Sequence, residues 1–307
     1  MSLQLFFIDP LLRFQVKRRF KKNPDLMTLR AIMVAQEPMN SKLPADITAQ
    51  QIELGGVPVE KLTATGAETS GAFLYIHGGG WVGGSPRTHR PLTRRLAAQT
   101  GMAVYAVDYR LAPEHVFPAG LDDCVAAYRA LLEKVPAHQI VVGGDSAGGN
   151  LTLALALRLK AEGVALPAAL VCLSPATDLA ATGGSRVTNA KRDALFVEAM
   201  MHTVEPRYFP GGNAQNPYIS PLYGDVAGLP PTFFHVGDTE MLLDDSLRMA
   251  DKMRAAAVPV TIKVWPRVPH VWHLLADLLP EARQAIYEVV AFVHVHLRNV
   301  PTLEKAS

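Results

Sequence analysis

The sequence predicts an α/β fold in which a mostly parallel sheet carries helices on both faces. The 307 residues are 49% hydrophobic and 19% charged, a composition that suits a globular chain with a sizeable core. From about residue 50 onward, short apolar runs alternate with helix-forming runs, which is the pattern of parallel strands joined by helices. The pair Gly55–Gly56 separates the first two apolar runs and predicts a β-hairpin.

Each element is predicted from a run of apolar or periodic residues between turn signals. The predicted strands are Gln51–Leu54, Val57–Leu62, Ala72–His77, Ala103–Val107, Ile140–Gly143, Ala169–Leu173, Thr232–Val236 and Val260–Trp265. The predicted helices are Thr88–Gln99, Leu121–Lys134, Ala147–Glu162, Leu243–Ala257 and Pro280–Leu297.

Two segments depart from this alternation. Residues 1–48 are predicted to be helical with several prolines, and residues 180–225 interrupt the alternation with the apolar, Met-containing run Asp193–Met201. We interpret this inserted segment as a candidate lid or cap. The basic run Arg13–Lys22 could lie as an amphipathic helix on a membrane surface, but a helix packed over the active-site side with a solvated basic face is favoured.

Composition excludes several classes of function. A net charge of +2 is too small to favour nucleic acid as a partner. The two cysteines, Cys124 and Cys172, lie in a predicted helix and a predicted strand and are expected to be core residues without a disulfide. No apolar run approaches the roughly 20 residues of a membrane span, and Leu3–Ile8 lacks the flanks of a signal peptide. We therefore expect a cytoplasmic protein without stable membrane association.

The segment Gly144–Gly148 has the form G-x-S-x-G between a predicted strand and a predicted helix. A serine on such a sharp turn has its hydroxyl exposed and becomes a nucleophile if a base reaches it. This pattern alone arises by chance in roughly one chain in ten of this length. Its strand-to-helix position makes Ser146 the candidate nucleophile, and Asp145 is interpreted as structural.

A second motif, His77–Trp81, reads His-Gly-Gly-Gly-Trp and follows a predicted strand. Consecutive glycines let backbone N–H groups face a cavity, which is what an oxyanion hole requires. The amide of Ala147, beside the candidate nucleophile, would be another donor. A phosphate-binding loop is disfavoured because no Lys-Ser/Thr pair follows.

Together with the segment Asp108–Glu114, these motifs resemble the hormone-sensitive-lipase-like (bacterial family IV) branch of the α/β-hydrolase carboxylesterases. The resemblance covers about residue 50 to the C-terminus. It implies an eight-stranded mostly parallel sheet in a catalytic domain of residues 49–307, with a helical cap from residues 1–48 and the insertion 180–225. It further implies a Ser–acid–His triad, with Gly79 and Gly80 as oxyanion donors and Gly78 shaping the turn.

The base should be a late histidine, because the chain order in this fold is serine, acid, histidine. His270 lies in the loop after the last predicted strand, where the family places its base, and His273 is the alternative. His235 lies inside a predicted strand and is expected to be packed. His294 and His296 are two residues apart on a helix and face different ways.

The acid is left open among three residues that follow the predicted strand Thr232–Val236. Matching the family's D-x-L-x-D arrangement favours Glu240, although the commoner residue there is aspartate, and Asp238 is a weaker alternative. Asp244 is expected instead to cap the helix that follows. Tyr109, Arg110 and Glu114 are expected to anchor the loop under the oxyanion turn.

These residues predict a serine carboxylesterase for short-chain acyl esters that needs no cofactor and no metal. A lactonase or a small-ester deacetylase would carry the same motifs, and a small-molecule receptor on a hydrolase scaffold is the non-enzyme alternative. The expected ligand is a small ester, and a second copy of the chain, joined through an edge strand in a homodimer, is the candidate protein partner. The residues expected to line the pocket are Trp81, Phe196, Met200, Met201 and Trp272.

Overall fold

The computed structural model describes residues 2–19, 25–35, 37, 42–67, 71–196 and 198–298. One sheet forms its centre, and all eight predicted strands lie in it. Its strands are Ile47–Leu54 (β1), Val57–Ala64 (β2), Ala72–Ile76 (β3), Ala103–Val107 (β4), Ile140–Asp145 (β5), Ala169–Leu173 (β6), Thr232–Gly237 (β7) and Val260–Trp265 (β8). They are ordered β1-β2-β4-β3-β5-β6-β7-β8.

The sheet is antiparallel at one edge and parallel elsewhere, as predicted. The β1–β2 hairpin turns at Gly55 and Gly56, whose positive φ angles of 61° and 79° suit a two-residue turn that glycine adopts without strain. β2 also pairs antiparallel with β4. From β4 through β3, β5, β6 and β7 to β8 every pairing is parallel. The carboxyl ends of the parallel strands therefore meet at one edge, where loops can build a site.

Helices cover both faces of the sheet and join its parallel strands. The helices are Leu3–Arg19 (α1), Leu26–Val34 (α2), Arg90–Thr100 (α3), Ala119–Leu132 (α4), Ala147–Ala161 (α5), Ser185–Thr188 (α6), Glu198–Tyr208 (α7), Leu243–Ala255 (α8) and Pro280–Arg298 (α9). α3 begins two residues later than predicted, because Thr88 forms a turn with Ser85 through mutual backbone and side-chain hydrogen bonds.

The core lies in two layers, one on each face of the sheet. Alternate residues of central strand β5 enter opposite layers, Ile140 and Val142 into one and Val141 into the other. α4 and α5 pack on the first face, whereas α3 and α9 pack on the second. Cys124 and Cys172 are buried with free thiols in the first layer, which confirms their expected place in the core.

The N-terminal helices and the insertion pack on the main domain at separate places. α1 places Leu5 in the second core layer, and the backbone N–H of Ser2 donates to Glu281 at 2.5 Å. α2 contributes Leu29 to the first layer, and α7 contributes Val204. Apart from Arg13, which pairs with Asp9 within α1, the predicted basic face lies outside the side chains that the structure describes. No helix among the described residues is both long and apolar enough to cross a membrane.

Candidate active site

Ser146 occupies the sharp turn between β5 and α5. Its φ and ψ angles of 52° and −117° are a backbone conformation that non-glycine residues rarely adopt, and they persist where the surrounding structure holds them. Its N–H donates to the Leu173 carbonyl at 2.8 Å, which ties the turn to neighbouring strand β6. A Cβ atom at Gly148 would lie 1.9 Å from the Ile76 carbonyl oxygen. Glycine there lets the helix approach the sheet closely enough to form the elbow.

His270 lies in the loop after β8 and makes a hydrogen bond to Glu240, which follows β7. The distance from His270 Nδ1 to Glu240 Oε2 is 2.6 Å. The other carboxylate oxygen accepts from the Ser174 hydroxyl at 2.8 Å and from the Gly237 N–H at 2.5 Å. Because Glu240 is fully buried and both of its oxygens are engaged, it fixes the His270 ring and directs Nε2 away from itself.

The other two candidate acids have different partners. Asp238 accepts a hydrogen bond from the Arg267 N–H at 2.7 Å near the surface. Asp244 accepts from the Ser185 N–H at 2.8 Å, and its own N–H donates to the Ser185 hydroxyl at 2.9 Å. The expectation that Asp244 caps its own helix is therefore wrong: it lies within the first turn of α8 and stabilises the start of α6 instead. Of the three acids, the structure brings Glu240 to His270.

The surroundings of His270 favour its protonated form. Burial of the ring by itself lowers the pKa of His270, since a charged imidazolium loses its hydration. The hydrogen bond to Glu240 and the negative charge of that carboxylate outweigh burial, so the pKa of His270 lies above its ordinary value of 6.5. A base tuned in this way holds a proton readily, as a proton acceptor and later donor must.

His273, the alternative base, lies elsewhere. Its ring is fully buried, and its Nε2 is 3.1 Å from Nδ1 of His235. His235 in turn contacts Glu288 at 3.1 Å through Nε2. Burial holds the pKa of His273 well below its ordinary value, which keeps the ring neutral. His273 therefore belongs to a packed histidine pair behind the loop, and His235 is packed as expected.

The glycine turn after β3 presents backbone N–H groups toward the site. Gly79 and Gly80 have positive φ angles of 121° and 62°, and a Cβ atom on Gly79 would lie 2.1 Å from the Gly83 carbonyl oxygen. Within the described part of the chain, the N–H groups of Gly79 and Gly80 donate to no protein acceptor. The N–H of Ala147, at the first position of α5, has no intrahelical acceptor either.

Asp145 anchors this turn from below. One of its carboxylate oxygens accepts from the Tyr75 hydroxyl at 2.5 Å and from the Gly78 N–H at 3.1 Å. The other lies 3.3 Å from Nε2 of His89. Burial alone would raise the pKa of Asp145, but His89 and these hydrogen bonds hold it at about 2. The carboxylate therefore stays ionised, and His89 is a structural partner that the sequence did not reveal.

The Asp108–Glu114 segment lies beneath the same turn. The Tyr109 hydroxyl donates to the His77 carbonyl at 2.9 Å, and the two rings stack with centroids 4.3 Å apart. Arg110 forms an ion pair with Asp123 at 2.7 Å. Burial lowers the pKa of His77 to about 3, so this ring is neutral and supports the turn by packing.

A cavity of about 250 Å³ joins these parts. Ser146, His270, Gly79 and Gly80 all line it, although the described contacts include no hydrogen bond between the Ser146 and His270 side chains. Such bonds commonly tighten only when substrate is bound. Apart from reactive and polar groups near Ser146, the wall is apolar and consists of Leu29, Ile32, Met33, Leu195, Phe196, Met200, Val204, Val271 and Leu274.

Three predicted pocket residues do not line the cavity. Trp81 is buried and stacks on Tyr208 with ring centroids 4.4 Å apart, and Trp272 is buried against His273 at 4.1 Å. Neither lines the cavity, which corrects their assignment as substrate-binding residues, and Met201 is likewise packed away from it. The predictions of Phe196 and Met200 agree with the wall, and the Phe196 ring packs edge-on against His270 with ring centroids 4.4 Å apart.

The arrangement provides a nucleophile on a strained turn, a histidine oriented by a carboxylate, and unpartnered amides around one cavity. These are the parts required for acyl transfer through a covalent intermediate. No group of three or more His, Cys, Asp or Glu side chains in the described ranges could hold a metal ion.

Comparison with known proteins agrees with this geometry. A family model for the alpha/beta hydrolase fold matches residues 73–274. The crystal structure of an esterase from the bacterial hormone-sensitive lipase family superposes with a TM-score of 0.89 at 40% identity, covering 97% of this chain and 99% of that one. The chain belongs to the hormone-sensitive-lipase-like family of α/β-hydrolases. The resemblance predicted from three sequence motifs is thereby confirmed.

Named relatives of this hormone-sensitive-lipase-like hydrolase include esterases. It is 43% identical over 222 residues to an acetyl-hydrolase of Streptomyces hygroscopicus, across 72% of this chain and 74% of that protein. It is 36% identical over 291 residues to an esterase of Acinetobacter venetianus, across 94% and 95% of the two chains. The second similarity extends over nearly the whole length of both proteins.

Proposed function

We propose that this protein is a serine carboxylesterase that hydrolyses short-chain acyl esters, with Ser146 as nucleophile, His270 as general base and Glu240 as the orienting acid. The observation that carries the proposal is the 2.6 Å hydrogen bond between His270 and Glu240, because it orients the ring of a histidine that shares the cavity with Ser146. The acetyl-hydrolase and esterase relatives support the same reaction class.

The reaction proceeds in two halves. Ser146 Oγ attacks the ester carbonyl carbon while His270 Nε2 takes the hydroxyl proton. The carbonyl oxygen becomes an oxyanion that accepts hydrogen bonds from the N–H groups of Gly79, Gly80 and Ala147. When the ester C–O bond breaks, His270 returns its proton to the leaving alkoxide, and an acyl-serine remains.

Water completes the second half. It attacks the acyl-serine carbonyl carbon as His270 removes one of its protons. The bond to Ser146 Oγ then breaks, His270 returns the proton to that oxygen, and the carboxylic acid leaves. Glu240 stabilises the imidazolium in both halves and does not itself take the proton.

The cavity supports a small, neutral acyl group. Its wall is apolar, and a volume of about 250 Å³ suits a compact ester. A lactone or a small acetylated metabolite could undergo the same chemistry, so these remain alternative substrates. A ligand-binding receptor is disfavoured because it would need neither an oriented base nor free amides.

The proposal also covers the cellular location of the protein and its association with a second copy. Cys124 and Cys172 are buried free thiols that do not call for an oxidising compartment, which supports a cytoplasmic location. An association of two copies through an edge strand stays a proposal, and a small ester is the expected partner.

The decisive test is hydrolysis of p-nitrophenyl acetate, butyrate, octanoate and palmitate by the wild type and by single variants. We expect turnover of the short esters, with Ser146→Ala and His270→Ala each reducing kcat on the order of 10⁴-fold or more. His273→Asn is the matched control for His270, because its ring lies in the packed pair. If both Ser146→Ala and His270→Ala kept wild-type activity, the proposal would be overturned.

A further inference from the structure

Arg30 of α2 joins three separate parts of the protein through one guanidinium group. Its Nε donates to the Val82 carbonyl at 2.5 Å, and its Nη2 donates to the Ala112 carbonyl at 2.7 Å. Its Nη1 and Nη2 also form a two-pronged ion pair with Glu114, at 2.7 and 2.5 Å. The fixed fork of an arginine is suited to engaging several acceptors at once, which a lysine cannot reproduce.

Val82 and Ala112, whose carbonyl groups accept from Arg30, are themselves hydrogen-bonded to the oxyanion turn. The N–H groups of Val82 and Gly83 both donate to the Gly79 carbonyl, at 3.3 and 3.0 Å. The Ala112 N–H donates to the Trp81 carbonyl at 2.9 Å. Arg30 therefore contacts the backbone one hydrogen bond away from a proposed oxyanion donor.

The same helix supplies one wall of the cavity. Leu29, Ile32 and Met33 of α2 line it. Met33 Sδ lies 2.6 Å from the point that a Cβ atom of Gly83 would occupy, so α2 packs directly on the segment after the oxyanion turn. The packing of α2 on the first core layer is apolar and non-directional, so its register on this segment is fixed by the Arg30 fork, with the hydrogen bond from the Ser85 hydroxyl to Glu37 just beyond the helix as a second tie.

We propose that Arg30 is a positioning residue that sets acyl-chain selectivity, by holding the α2 wall at a fixed distance from the oxyanion turn. This inference rests on the proposed ester hydrolysis. An acyl chain long enough to reach α2 gains apolar contact with the wall, whereas an acetyl group reacts without that contact. Releasing α2 therefore penalises the longer ester selectively, and it does so mainly through KM.

The carbonyl contacts carry most of the positioning. Glu114 is 55% exposed, and ion pairs with exposed partners contribute little in water. Arg30 is only 22% exposed, and its bonds to the two backbone carbonyls are partly buried. Glu114→Gln should therefore change selectivity less than Arg30→Lys, which keeps the charge but loses the fork.

The experiment measures kcat and KM for p-nitrophenyl acetate and hexanoate in the wild type, Arg30→Ala, Arg30→Lys, Glu114→Gln and Met33→Ala. We expect the hexanoate-to-acetate ratio of kcat/KM to fall about tenfold in Arg30→Ala, the range found for lost apolar contacts in a pocket. Arg129→Ala is the control, because the Arg129–Glu162 ion pair is on the surface away from the cavity. A merely structural loss would reduce the active fraction and lower kcat for both esters equally, without changing KM.

Two further comparisons keep the outcome decisive. If Arg30 acts through the wall, Arg30→Ala combined with Met33→Ala should lower the ratio by less than the product of the single effects. If Arg30→Ala does not fold, Arg30→Lys and Glu114→Gln must still show the predicted order. An active wild type with an unchanged ratio in the Arg30 variants overturns this inference alone, whereas a wild type inactive on both esters overturns the proposed function.

Discussion

Glu240 and His270 lie 30 residues apart in the chain, and their side chains meet at 2.6 Å where His270 lines the cavity. The second carboxylate oxygen is held by Ser174 and Gly237, from the ends of neighbouring strands β6 and β7. The carboxylate is therefore fixed by the sheet itself and not by a flexible loop. This geometry explains how a glutamate, longer by one methylene than an aspartate, can present a single defined orientation to the histidine.

The first prediction concerns the acid limb of the wild-type pH profile. Only neutral His270 can accept the Ser146 proton, so activity should rise as the pH passes through the His270 pKa. Because Glu240 raises that pKa above its ordinary value, the midpoint of kcat/KM should lie above about 6.5. A profile of p-nitrophenyl butyrate hydrolysis between pH 5 and 9 measures it. A midpoint well below that value would contradict the assigned pair.

The second prediction removes the charge of the acid. In Glu240→Gln the support from the carboxylate is lost while burial remains, so the pKa of His270 falls and the acid limb moves to lower pH. We expect kcat to drop on the order of 10³–10⁴-fold, because an amide can hold the wrong imidazole tautomer.

Asp238→Asn is the matched control for this change, since its carboxylate accepts from the Arg267 backbone near the surface. The control should keep wild-type kcat and the wild-type acid limb. A larger loss in Asp238→Asn than in Glu240→Gln would reassign the acid.

The elements of the fold could be predicted because their signal is local. Runs such as Ala169–Leu173 and Ala72–Ile76 are apolar over a strand's length, and all eight strands could be predicted from apolar or alternating runs. The order of the strands could not be predicted, since the insertion of β4 between β2 and β3 depends on contacts far apart in the chain. The helix ends shifted by two residues where turns such as Ser85–Thr88 take over the backbone hydrogen bonds.

The candidate site, like the fold, could be predicted only in part from the sequence. The turns at Ser146 and Gly79 were visible because only certain residues adopt their backbone conformations. The pocket wall was predicted only at Phe196 and Met200, because it is built by α2, α7 and the loop after β8 together. Trp81 and Trp272 were expected there, but their large rings are buried in the core and pack on Tyr208 and His273. No local sequence pattern indicates whether a tryptophan side chain points into the cavity or into the core.

The third prediction tests the oxyanion turn through Gly79→Ala. The added Cβ atom would lie 2.1 Å from the Gly83 carbonyl oxygen, and the φ angle of 121° is unfavourable for alanine, so the turn must move. We expect kcat/KM for p-nitrophenyl acetate to fall about 100–1000-fold, as when one oxyanion donor is lost. Gly228→Ala is the control, because it also has a positive φ angle, 72°, but meets no neighbouring atom within 4 Å. Equal losses in the two variants would show that backbone strain, not the turn, is responsible.

The fourth prediction reverses the direction of the pH shift. The Phe196 ring packs edge-on on His270 with centroids 4.4 Å apart, and burial is the strongest influence lowering the pKa of that histidine. In Phe196→Ala water should reach the ring, the pKa of His270 should rise, and the acid limb should move to higher pH, opposite to Glu240→Gln. The measurement is kcat/KM against pH for both variants on one ester, with thermal unfolding to verify that each is folded. Phe209→Ala serves as the control, because its half-buried ring contacts Tyr208 and not His270. If both variants moved the limb in the same direction, the opposition of burial and carboxylate charge at His270 would be refuted.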